Sequence, residues 1–207
     1  RARRFRVAHA AAKDLLVLHA GVTREDLRRV GLPEDRWSHA REVADALNRT
    51  LDTAVAAWKQ GPFSMPGLHQ PGSAAYGEGR GIFYQRPSLR PEDAAHRAAT
   101  PRRRFDPYQL PPGLTQVVGH TRDKRSRELL ALPHEAPRDG VLRHLVTNGT
   151  TLQYRHGPPP PTGSGEAVLV FTDGGMRESP LELFELLDLD TRAPARPVGA
   201  SSPGAPS

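Results

Sequence analysis

Three short apolar runs, each closing on a polar side chain beside glycine, set the terms for any fold of this chain. Residues 114–121 read L-T-Q-V-V-G-H-T, residues 14–21 read D-L-L-V-L-H-A-G, and residues 167–175 read A-V-L-V-F-T-D-G-G. Apolar runs this short, rich in valine and leucine, read as buried strands. A terminal glycine lets the backbone turn sharply or approach a neighbour closely. A polar side chain just past a buried strand stands at the rim of a sheet, where α/β proteins place their ligand sites. Neighbouring strands ending on one edge would bring His19, His120 and Asp173 together.

The chain has no cysteine among its 207 residues. Disulfides, a thiolate zinc site and a cysteine nucleophile are therefore excluded, and a reducing, cytoplasmic compartment fits. No apolar run reaches the length of a membrane span, so no membrane is expected as a partner. The formal net charge is +6, and only Lys13, Lys59 and Lys124 among the basic residues are lysine. That balance attracts anions, although scattered arginines also occur with no anionic partner.

Around the three runs the elements follow local signals. Thr23 and Asp26 form a capping-box pattern for a short helix that Gly31 and Pro33 stop. Ser38 is a candidate cap for a longer helix to about residue 60, whose apolar stripe is Val43, Leu47, Leu51, Val55 and Trp58. His69, in a Gly/Pro/Ser-rich stretch, reads as a solvated loop side chain. Residues 81–87 read as one short strand bracketed by Arg80 and Arg86, a pair able to bind an oxyanion. Residues 88–113 read as a charged, solvated insertion. Its Arg102-Arg103-Arg104 triplet lacks the aromatic interleaving of a nucleic-acid surface beyond Phe105 and Tyr108, so nucleic acid is not the expected partner. Residues 122–130 read as a mixed-charge loop or helical turn. Asn148-Gly149 between β-rich runs at 141–147 and 150–155 marks a hairpin. Residues 157–165 read as a flexible spacer, and residues 191–207 as a disordered tail. Neither Gly163-Ser164-Gly165 nor the glycines at 77–81 have the strand or helix context of a nucleophile elbow or a phosphate cradle.

Two histidines on separate buried strands make a rigid imidazole pair, and neutral imidazole is the commonest side-chain metal ligand. A catalytic zinc takes three protein ligands and an open position. The pattern alone therefore supplies half of a metal site, with local hydrogen bonding of both histidines as the competing reading.

The motifs L-H-A-G-V at 18–22, Tyr84-x-Arg86 and V-V-G-H-T at 117–121, in that order, resemble the second half of the calcineurin-like metallophosphoesterases. The branch they resemble comprises the bacterial relatives of the phosphoprotein Ser/Thr phosphatases, including the Shewanella-like phosphatases and the symmetrical diadenosine-tetraphosphate hydrolases. The late strand ending in Asp173-Gly174-Gly175 is similar to that family too. The resemblance implies an α/β fold, a β-sandwich flanked by helices, with two divalent metals (Mn, Fe or Zn) at one sheet edge. It implies that residues 1–190 are the C-terminal portion of such a domain. By the same resemblance His19 and His120 bind the second metal and Arg86 contacts the substrate phosphate, with Arg80 as the other candidate. Asp173 and Thr121 would support the site from behind.

The family's Asp-x-His, Gly-Asp-x-x-Asp-Arg-Gly and Gly-Asn-His motifs are absent. The resemblance places them, with the general-acid histidine, upstream of Arg1, so no catalytic acid is assigned to this chain and it is expected to be inactive or nearly so alone. The implied activity is hydrolysis of phosphomonoesters, phospho-Ser/Thr protein included. Hydrolysis of dinucleoside polyphosphates and a non-catalytic, basic binding role are the alternatives.

Overall fold

The computed structural model describes residues 5–75, 77–90, 100–138, 140–173, 175 and 184–195. The strands are β1 (Ala8–Ala10), β2 (Leu15–Leu18), β3 (His69–Gln70), β4 (Arg80–Gly81), β5 (Arg86–Pro87), β6 (Arg104–Phe105), β7 (Thr115–Val118), β8 (Arg143–Thr147), β9 (Leu152–His156), β10 (Ala167–Phe171), β11 (Leu186–Leu187) and β12 (Pro194–Ala195). The helices are α1 (Arg24–Arg29), α2 (Ala40–Ala57) and α3 (Asp123–Leu129). The architecture is α/β, with a mixed six-stranded sheet in the order β1-β2-β7-β10-β8-β9. Strands β2, β7 and β10 run parallel, and β1, β8 and β9 pair antiparallel to their neighbours.

The three apolar runs become the central strands because both faces of this sheet bury side chains, which favours continuous rather than alternating apolar sequence. In β10, Leu169 and Phe171 join the larger core with Leu16, Leu18, Val118 and Leu145. Val168 and Val170 pack on the opposite face with Leu15 and Val117. Helix α2 lies against β1 and β2, burying Val43, Ala44, Leu47 and Leu51. Each buried valine or leucine contributes about 1.5–3 kcal/mol. Asn48 on the same face tethers β1: its Oδ1 accepts from Val7 N at 2.8 Å and its Nδ2 donates to Ala8 O at 2.9 Å.

Thr23 caps α1 with both halves of the box formed. The start of α2 differs from expectation. His39, not Ser38, is its first flanking residue, with no side-chain cap. Its apolar stripe also stops short, since Val55 and Trp58 are 52% and 50% exposed. An 18-residue helix extends ~27 Å at 1.5 Å per residue, whereas a four-residue strand covers only ~13 Å. The last turns of α2 therefore overrun the sheet.

Residues 81–87 are not one strand. The chain pairs at β4, turns through Ile82–Tyr84 and pairs again at β5. The stretch 88–113 is not a purely solvated insertion either. Residues 91–99 lie outside the described residues, but β6 pairs parallel with β5, and Phe105 and Leu110 are core residues. The charged run after Thr121 forms α3. The Asn148-Gly149 hairpin is present as β8–β9, with Asn148 Oδ1 accepting from the amides of Thr150 and Thr151. Composition assigned residues 191–207 to a tail. Of these, 191–195 are described: β12 pairs with β11, and Arg192 forms a two-pronged ion pair with Asp14. No helix among the described residues is long and apolar enough to cross a membrane.

Candidate functional site at the sheet rim

The register of the parallel strands fixes the rim. Leu18 pairs with Val118, and Val118 with Phe171, so β2, β7 and β10 end in line. His19, His120 and Asp173 follow these ends within two residues. Gly119 N donates to His19 O at 3.1 Å, drawing the two strand exits together. His120 then takes φ +62°, and Thr121 N closes a three-residue turn on Gly119 O at 2.8 Å. A non-glycine residue held in this region is strained and is often found at functional sites. Here the strain aims the imidazole at its neighbour: His19 Nε2 lies 3.2 Å from His120 Nδ1.

Arg86 completes the cluster. Its guanidinium lowers the pKa of both histidines electrostatically, after burial, which is the larger cause for each. The charge of Asp173 opposes the shift at His19, placing that carboxylate on the same rim. Both histidines are thus biased to the neutral form that binds metals. Arg80 sits in β4, paired with Gln70. Thr121 is buried, and its backbone both closes this turn and accepts from Arg143.

Residues that the sequence reading passed over hold the rim in place. Gln116, fully buried in β7, bonds Val22 twice: Oε1 accepts from Val22 N at 2.8 Å, and Nε2 donates to Val22 O at 2.9 Å. Gln85 Nε2 donates to Gly21 O at 2.9 Å. The segment leaving His19 is therefore clamped from two sides. Arg143, 1% exposed, donates from Nη2 to Thr121 O at 3.0 Å and Asp173 O at 2.5 Å. It ties the loops after β7 and β10 to each other. Replacing Arg143 with alanine orphans two carbonyls but also removes an Nε and an Nη1 that find no hydrogen-bond partner among the described residues. The expected net loss is about 2 kcal/mol, measurable by urea denaturation.

His69 is not a solvated loop side chain. It is 7% exposed, stacks on Phe63 and Tyr84, and meets Phe83 edge-on. With Phe5, Phe83 and Tyr84 it lines a groove of about 640 Å³ that reaches His19.

Two imidazole nitrogens bound to one ion at ~2.0–2.1 Å in tetrahedral geometry lie about 3.3 Å apart. The 3.2 Å between His19 and His120 fits that pairing. Among the described residues, no group of three or more His, Asp or Glu side chains is placed to hold a metal. Comparison with protein-family models, with curated proteins and with solved structures found no match.

Proposed function

We propose that this chain is the C-terminal portion of a calcineurin-like, metal-dependent phosphoesterase acting on phosphomonoesters, phospho-Ser/Thr protein among them. The observation that carries the reading is the imidazole pair of His19 and His120 at aligned strand ends, with the Arg86 guanidinium acting on both rings. In this reading His19 Nε2 and His120 Nδ1 hold a divalent ion of the Mn, Fe or Zn class, and Arg86 binds the phosphoryl oxygens. The six-stranded sheet would be one layer of the sandwich. A pair of bound ions would supply Lewis-acid activation of the attacking water and neutralise phosphoryl charge. The chain's own residues orient the phosphate, and the groove beside His19 receives the remainder of the substrate.

The aromatic lining of that groove, Phe5, Phe83 and Tyr84 with His69, favours a second reading in which a planar base is accommodated, as in a dinucleoside polyphosphate. Relative affinity for a phosphoserine peptide and a dinucleoside tetraphosphate separates the two.

Titration with Co²⁺, followed by its visible absorption, tests the shared premise. Loss of a ligand should cost at least as much as loss of a group supporting one, which is about 10–100-fold. His19→Ala and His120→Ala are each expected to weaken cobalt binding at least about tenfold, while His39→Ala leaves it unchanged. Identical titration curves for wild type and both rim variants would rule the metal assignment out.

A further inference from the structure

One carboxylate connects the proposed metal ligand to the proposed phosphate ligand. Glu78 Oε1 accepts from Arg86 Nη2 at 2.7 Å, and Oε2 accepts from Arg86 Nη1 at 2.7 Å. Oε1 also lies 3.2 Å from His120 Nε2. The same nitrogen is 3.2 Å from Tyr84 O. A ring nitrogen facing a carboxylate and a carbonyl has only acceptors around it, so it carries the proton. The neutral ring then presents an unprotonated Nδ1 to His19.

Arg86 is oriented by the same contact. Its two terminal nitrogens face Glu78, and Nη1 also donates to Tyr84 O at 3.2 Å. The Nε–H and the remaining Nη2–H form the opposite edge of the guanidinium, a second fork suited to an oxyanion. Ser73 and Gly77 close a bridge ahead of Glu78, and Arg103 Nη2 donates to its carbonyl at 2.7 Å. A Cβ on Gly79 would lie 2.7 Å from Gln70 O and 2.4 Å from the Tyr84 ring, so the backbone after Glu78 packs closely against both.

We propose that Glu78 is the positioning residue of the rim site: it fixes the Nε2–H tautomer of His120 and holds the Arg86 guanidinium by its Nη1–Nη2 edge. The inference rests on the phosphoesterase reading for its purpose, but its central claim concerns this chain alone. It assigns Glu78 the role that carboxylates take behind metal-bound histidines, where they set tautomer and ring orientation.

Glu78→Ala tests it. It removes the carboxylate and leaves Tyr84 O beside His120 Nε2. Glu78→Gln is the conservative partner, since its single oxygen in the place of Oε1 still accepts from both Arg86 Nη2 and His120 Nε2. Nitrogen-15 NMR of the histidine rings reads the tautomer directly. The Nε2–H form should dominate in wild type, give ground to Nδ1–H in Glu78→Ala, and recover in Glu78→Gln. Cobalt affinity should fall about tenfold in Glu78→Ala, and binding of inorganic phosphate should weaken with it. Glu34→Gln, on a solvent-exposed ion pair with Arg28, should change none of these. Unchanged His120 tautomer populations in Glu78→Ala overturn the proposal whatever the affinities do. A wild-type chain that takes up no cobalt overturns the phosphoesterase reading instead, and Glu78 is then judged on the tautomer populations.

Discussion

Asp123→Ala is expected to destabilise the protein by about 3–5 kcal/mol, because it orphans several donors at one buried point. The Asp123 side chain is 0% exposed. It accepts from Tyr154 Oη at 2.6 Å, Arg138 N at 2.9 Å and His156 Nε2 at 3.2 Å. It thereby ties the start of α3 to β9 and to the loop near residue 138. Burial pushes its pKa up, but the bonds from Tyr154, Arg138 and His156 together outweigh it, and the net shift is below the ordinary 3.8. A carboxylate with a depressed folded pKa adds stability in full above its unfolded value, and loses it as pH falls through the folded value. The wild type should therefore weaken progressively in acid from about pH 5 downward. Asp123→Asn, with nothing to titrate there, should show a flatter acid limb from a lower starting stability. Urea midpoints of both proteins across that range decide the matter. Parallel pH profiles would remove Asp123 from the account.

Gly81→Ala is expected to cost about 3–4 kcal/mol and to disable the arginine side of the rim site. Gly81 has φ +86°, and a Cβ there would fall 1.8 Å from Leu68 O and 2.9 Å from a Pro101 carbon. Backbone cannot yield as a flexible side chain can. The position also holds a hub of main-chain bonds. Gly81 N donates to Arg102 O at 2.7 Å, while Gly81 O accepts from Tyr84 N at 2.7 Å and Gln85 N at 2.8 Å. That turn delivers Tyr84, Gln85 and Arg86 to the histidines. Gly31→Ala is the matched control, with φ +71° and nothing within 4 Å of its added Cβ. It should cost only about 1 kcal/mol, so thermal melts of the two variants separate conformational strain from the clash.

The central strands were legible because their evidence is local. Residues 15–18, 115–118 and 167–171 carry enough apolar sequence to identify themselves. Their alignment, and with it the meeting of His19 and His120, followed from treating equal endings as one edge. What the sequence hid depends on partners far along the chain. His69 looks like a loop residue among Gly and Pro, and only Phe83 and Tyr84 folding back over it make it an interior ring. Gln116 interrupts an apolar run, and nothing near it shows that Val22 will satisfy both ends of its amide. Glu78 stands in a Gly-rich stretch that has no phosphate-cradle context. Its importance arises from Arg86 and from His120, 42 residues later by numbering. Apolar periodicity also misjudged Val55 and Trp58, because pattern cannot report where the opposing sheet ends.

Strand β7 lies between β2 and β10 and runs parallel to both, and the two rim histidines are 101 residues apart in sequence. Parallel neighbours at such separation must close long loops before their contacts repay the cost, which makes them slow to form. As the chain emerges from the ribosome, β2 is made long before its neighbour, and β7 in turn waits for β10. The imidazole pair therefore comes into being only after the middle of the sheet has closed. On the metal-binding reading proposed above, an ion captured at this rim would select molecules whose central strands have already found one another.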